Sequence, residues 1–110
     1  MIRYDEKYNA YLLEEMIPLA SLDLVSDDTL IVAYVKVELV LWDLITGNFR
    51  KKELTSEKGF TVTQLCQVVY NHYQNLLSKH IIDMGKLRGF SVQDNDEIYV
   101  DIVMDEEFFK

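Results

Sequence analysis

Apolar and polar positions separate most sharply between Phe60 and Lys79. On a helical wheel Val62, Leu65, Cys66, Val69, Tyr70, Tyr73, Leu76 and Leu77 fall on one arc of roughly 140°, a face made for burial. Thr61 and Gln64 have the Thr-x-x-Gln spacing of a capping box, and Phe60 and Leu65 stand where a hydrophobic staple closes over it. The spacing predicts an amphipathic helix over about 61–79. Upstream the period changes from helical to alternating. Within Thr29–Trp42 the odd positions Ile31, Ala33, Val35, Val37, Leu39 and Leu41 are apolar, while Tyr34, Lys36, Glu38 and Trp42 lie between them. That pattern reads as one long strand or two joined strands with one covered side. Gly47-Asn48 supplies turn chemistry for a hairpin into Phe49–Leu54. Alternation returns at Glu97–Met104, where Ile98, Val100, Ile102 and Met104 are interleaved with Tyr99, Asp101 and Val103.

Weaker patterns fill the rest of the chain. Tyr8, Leu12 and Met16 recur every four residues, Asp5 stands in a capping position and Pro18 blocks continuation, which together predict a short amino-terminal helix over about 6–16. Leu22 and Leu24 alternate with Ser21 and Asp23, a slight strand signal, before the turn residues Ser26-Asp27-Asp28. Gly85 and Gly89 read as a loop ahead of a short strand at Phe90–Val92. With no repeat, linker or low-complexity tract, residues 1–110 read as a single domain. The expected class is α+β: the helix packs on an antiparallel sheet built mainly from 30–42, 48–54 and 97–104, with a short amino-terminal helix beside it. Val69 and Tyr73 are expected deep in the core, facing Val35, Val37 and Leu39.

Composition agrees with a folded chain: 49% hydrophobic residues and one proline are not the makings of disorder. A lone cysteine cannot form an internal disulfide, and the polar start Met1-Ile-Arg-Tyr-Asp-Glu-Lys does not read as a signal peptide, so an intracellular location is expected. The apolar run Leu30–Val35 is too short to span a bilayer, so no membrane association is expected. Net charge is −8, with seven acids against two bases in 1–28, eight against three in 81–110, and four against six in 29–80. Such acidity disfavours direct nucleic-acid binding, which depends on Lys and Arg neutralising phosphates.

Candidate chemistry is sparse. His72 and His80 lie about two helical turns apart, too far to share a metal, and Cys66 falls inside the apolar arc, where a thiol behaves as a small hydrophobe. Asp94-Asn95-Asp96-Glu97 gathers oxygen ligands in a turn but lacks the glycine and spacing of a calcium loop. Asp5-Glu6-Lys7 has a nuclease-like ring but opens a helix on this reading. The four glycines cannot build a phosphate or dinucleotide loop, so no cofactor is expected. Arg50, Lys51, Lys52 and Lys58 make a basic spot too small for a nucleic-acid surface.

Trp42-Asp43-Leu44-Ile45-Thr46-Gly47 resembles the end of a WD-repeat blade, but the chain has neither the length nor a second copy for a propeller. The hexapeptide therefore implies a hairpin. More loosely, the order of elements over about 30–104, with Phe60-Thr61-Val62 before a helix carrying Val69-Tyr70 and Tyr73 and then Arg88-Gly89-Phe90, resembles small uncharacterised α/β domains encoded by large DNA viruses. That resemblance implies a viral origin and a host-cell setting, and brings no catalytic residues with it. The outer arc of the helix is uncharged and rich in amides, which suits an interface. The expected function is thus a non-catalytic protein-interaction module (an accessory, adaptor or structural subunit) that binds a protein partner or itself. The candidate contacts are Gln67, Asn71, Gln74 and Asn75, with Tyr34 and Trp42 as a second patch. An acidic nucleic-acid mimic, using Asp94–Glu97, Asp101 and Asp105–Glu107 against a basic protein, is the alternative. A metal-assisted hydrolase on the Asp94–Glu97 turn comes third.

Overall fold

The computed structural model describes residues 2–33 and 36–109. Among these residues eight strands and two helices follow one another as β1 (Ile2–Asp5), β2 (Ala10–Pro18), β3 (Leu30–Val32), β4 (Lys36–Trp42), β5 (Phe49–Thr55), β6 (Phe60–Thr61), α1 (Val62–Leu76), α2 (Lys79–Ile82), β7 (Gly85–Val92) and β8 (Glu97–Met104). Short 3-10 turns occupy Leu19–Leu24 and Glu106–Phe109. Six strands form the main sheet in the order β1-β2-β7-β8-β4-β5, while β3 and β6 pair separately. The class is α+β, with strand outweighing helix.

The helix starts as its sequence dictates. The Thr61 N–H donates to Gln64 Oε1 at 2.9 Å and the Gln64 N–H donates to Thr61 Oγ1 at 3.3 Å, closing the capping box. Phe60 and Leu65 are both buried in the core. The helix ends earlier than the apolar spacing implies. Leu77 turns extended, and Ser78 caps the separate short helix α2. Val62, Leu65, Cys66, Val69 and Tyr73 are buried, with Tyr73 2% exposed, whereas Tyr70 is half-buried and Leu76 is exposed. They share one core with Val37, Leu39, Leu41, Leu87, Phe90, Ile98 and Val100 from the sheet.

Several expectations are corrected. Residues 6–16 form no helix: β1 and β2 make a hairpin, in register from Ile2↔Leu13 to Asp5↔Ala10. Asp5 Oδ1 accepts from the Lys7 N–H, Asn9 takes a positive φ of 46°, and the Tyr4 hydroxyl donates to Asn9 Oδ1, so the expected cap residue organises a turn instead. Long-range pairing of Ala10–Leu12 with Gly89–Ser91 overrides the local helical period. Leu19–Val25 is not a strand; its 3-10 turn buries Leu19 and Leu22 at i,i+3, the repeat of that helix. Thr29–Trp42 divides between two sheets, Ile31 buried in one and Val37, Leu39 and Leu41 in the other, while Ala33 is exposed and Val35 lies outside the described residues. The expected loop with Gly85 and Gly89 is strand β7. Gly89 lets β2 approach, because a Cβ there would lie 2.2 Å from the Tyr11 carbonyl oxygen. Finally, the sheet is mixed rather than antiparallel: β4 and β8 run parallel, Glu38–Val40 against Glu97–Tyr99.

Candidate functional site

Register decides which side of the sheet each side chain occupies. On the helix side of β4 and β5 lie Val37, Leu39 and Leu41 with Leu54, Lys52 and Arg50. Glu38, Val40 and Trp42, with Glu53, Lys51 and Phe49, take the other side. Tyr99, beside Val40 in the parallel pair, joins them. Of the expected contacts, Gln67, Asn71, Gln74 and Asn75 are all exposed on α1, where Gln67 Nε2 donates to Asn71 Oδ1 at 3.0 Å. Trp42 is half-buried at the end of β4, where register sets it beside Phe49 on the far side of the sheet and it also packs against the core. Tyr34 lies outside the described residues.

That far side carries a line of rings which the alternation alone did not single out. Phe49 sits 6.0 Å from Tyr99 and is the cross-strand partner of Trp42. Trp42 meets Phe108 edge-on at 6.4 Å, and Phe108 meets Phe109 at 5.2 Å. These spacings are those of favourable aromatic pairs. Phe49 is 60% exposed, Phe109 69% and Tyr99 37%. Tyr99 alternates with the apolar positions Ile98 and Val100, whereas the side Phe49 takes follows from its register with Trp42. Phe108 and Phe109 lie beyond the last alternating segment, and it is the Glu106–Phe109 turn that brings Phe108 against Trp42. Ion pairs lie around the rings: Lys36 pairs with Glu53 at 3.3 Å, Lys51 with Glu97 at 2.6 Å and Glu38 at 3.9 Å, and Arg88 with Asp101 at 2.6 Å. Glu97 is buried, and its other oxygen accepts from Asn95 Nδ2 at 2.6 Å. The Lys51 ammonium and the Asn95 amide hold the Glu97 carboxyl below its usual range, and Lys51 is raised in return.

On the helix side, the β4–β5 hairpin and the end of α1 enclose a cavity of about 260 Å³ lined by Asp43, Leu44, Ile45, Thr46, Arg50, His72, Tyr73, Leu76 and Leu77. The WD-like hexapeptide builds its wall. Asp43 Oδ1 accepts from the Ile45 and Thr46 N–H groups, Asp43 Oδ2 accepts from Arg50 Nε at 2.9 Å, and Gly47 turns the chain at a φ of 77°. The Tyr73 hydroxyl donates to the Trp42 carbonyl at 2.7 Å, just beyond the last registered residue of the parallel ladder. Burial pushes the Tyr73 hydroxyl up, and burial, Lys52 and Arg50 together push His72 down, so the imidazole is neutral. Asp43, held by Arg50 and the two turn amides, falls from 3.8 to about 2. A carboxyl whose folded value is depressed stabilises fully above its unfolded value and loses that effect as pH falls through the folded one. Wild-type protein is therefore expected to lose melting temperature between about pH 4 and pH 2 more steeply than Asp43→Asn, as read by thermal unfolding across that range.

The remaining sequence candidates scatter. His80 is exposed on α2, away from the cavity that His72 lines. Cys66 is buried, and desolvation pushes its thiol up to about 12, far from a reactive thiolate. Asp94, Asn95 and Asp96 are exposed at the start of β8, while Asp105, Glu106 and Glu107 follow its end, about 25 Å away along an eight-residue strand. Residues 50–52 split between faces: Arg50 and Lys52 point to the helix side, Lys51 to the other. Among the described residues no three His, Cys, Asp or Glu side chains gather as a metal group, and no helix is long and apolar enough to cross a membrane. No protein family, no curated protein and no solved structure matches this chain.

Proposed function

We propose that the protein is a non-catalytic interaction module that pairs with a second copy of itself through the helix-free side of its sheet. One observation carries the reading: Phe49, Tyr99 and Phe109 are exposed around the half-buried rings of Trp42 and Phe108, beside ion pairs made by Lys36, Lys51 and Arg88. Aromatics in a solvent-facing strip are the usual anchors of an interface. A second copy is favoured over an unrelated partner by charge. Two chains of net charge −8 repel through most of their surface, and the side where Lys36, Lys51 and Arg88 pair with Glu53, Glu97 and Asp101 is where that repulsion is reduced. Edge-to-edge pairing of β5 with its own copy about Lys51 is disfavoured, since it sets Lys51 against Lys51 and Arg50 against Lys52.

Sedimentation equilibrium tests this directly. The wild-type chain is expected to dimerise at or below about 100 µM. Phe49→Glu with Phe109→Glu, both at exposed positions, is expected to weaken the dimer by about thirtyfold or more, as befits loss of anchor residues. Gln67→Lys with Asn71→Lys on the helix is expected to leave it unchanged. A monomeric wild type, or a dimer broken by the helix pair and not by the aromatic pair, removes the proposal.

A further inference from the structure

We propose that the cavity between the β4–β5 hairpin and the carboxy-terminal half of α1 binds a small amphiphilic carboxylate, its tail among Leu44, Ile45, Leu76 and Leu77 and its head toward Arg50 and Lys52. The site is on the helix side of the sheet, so it is independent of the pairing surface described above.

Size and lining come first. At interior packing density a space of about 260 Å³ takes roughly ten non-hydrogen atoms. Four aliphatic side chains and the Tyr73 ring line it, with few polar groups, as small-molecule sites usually have. Ile45 is 70% exposed and Leu76 55%, so the mouth is apolar as well as the walls.

The polar groups select the head. Asp43 is already spent: one oxygen holds two turn amides and the other holds Arg50 Nε. Arg50 uses only Nε in that pair, which leaves its terminal N–H groups for a planar, two-oxygen acceptor. Lys52 stands on the same side of β5 two residues on, and makes no ion pair among the described residues. His72 reaches the cavity with no hydrogen bond to its ring nitrogens among the described residues, and as a neutral imidazole it offers one further N–H. In a chain of net charge −8, this corner gathers Arg50, Lys52 and a His72 whose charging they oppose. A carboxylate is attracted here and an ammonium repelled.

Octanoate, octylamine and octan-1-ol share a tail and differ in the head, so titrating each against labelled protein and following amide shifts isolates the head. Octanoate is expected to saturate with half-occupancy at or below about 1 mM, shifting residues 44–46 and 72–77, and octylamine to bind at least about tenfold more weakly. Lys52→Gln, which disturbs no ion pair, is expected to weaken octanoate severalfold. Lys52→Gln with Arg50→Gln is expected to weaken it about tenfold or more while leaving octanol unchanged. Leu76→Glu, at an exposed position, places an anion at the mouth and is expected to abolish octanoate binding. The proposal fails if octanoate and octylamine bind equally, if the double variant keeps wild-type affinity, or if shifts fall on Phe49, Tyr99 and Phe109 instead of the cavity. Absence of saturable binding by octanoate overturns it equally.

Discussion

Phe90→Ala is expected to destabilise the protein by about 3–5 kcal/mol, the range for emptying a buried aromatic site. Phe90 is 1% exposed on β7, opposite Val100 of β8 and Tyr11 of β2, so its ring spans three strands under the helix. With close-packed strands on both sides, the cost belongs at the upper end of truncation effects. A loss of that size lowers the melting temperature of a chain this long by more than about 10 °C. Phe49→Ala is the matched control. It removes the same ring from the helix-free side, where Phe49 is 60% exposed, and is expected to change stability by about 0.5 kcal/mol at most. Urea unfolding of the two variants tests the assignment of faces. Equal losses would mean that Phe49 and Phe90 do not lie on covered and open sides as described.

Gly59→Ala is the second large effect, expected at about 2–5 kcal/mol. Gly59 has a φ of 86°, where an L side chain costs roughly 1–2 kcal/mol. A Cβ there would also stand 2.3 Å from the Val32 carbonyl oxygen and 2.8 Å from the Ala33 Cα, both backbone atoms. Overpacking against atoms that cannot rotate away adds about 1–3 kcal/mol. The strain falls where β3 and β6 pair and the helix begins: the Val62 N–H donates to the Thr29 carbonyl, while Thr63 and Asp27 exchange hydrogen bonds through Thr63 Oγ1 and both backbones. Gly47→Ala is the comparison, since Gly47 shares the positive φ but has no atom within 4 Å of an added Cβ. It is expected to show the conformational cost alone, and chemical denaturation of both variants separates strain from overlap. Similar losses for the two would place the whole effect in backbone conformation.

What could be read without coordinates was local. The Thr61–Gln64 box, the buried stripe through Val69 and Tyr73, the β4–β5 hairpin with its Asp43 turn, and the β8 alternation all rest on residues a few positions apart, and each local preference agrees with the final fold. The candidate surfaces followed only partly. The amide row Gln67, Asn71, Gln74 and Asn75 is exposed because a helical period alone assigns it outward.

Tertiary structure decided the rest, and the reason is sequence separation. Residues 10–18 satisfy a helical and an extended period about equally, and pairing with β1 and with β7, some seventy to eighty positions away, selects the strand. The same pairing turns the Gly89 region from loop to strand, since a glycine that looks like a breaker is a place where another backbone passes close. The division of 29–42 between two sheets depends on β6 and β8, which claim its two halves from different directions. Both surfaces proposed above to bind were also assembled at long range. The aromatic line joins β4, β5, β8 and the carboxy-terminal turn. The cavity joins a hairpin to a helix that follows it by some twenty residues. Periodicity tells each residue which way to face, and only the packed chain sets those faces side by side.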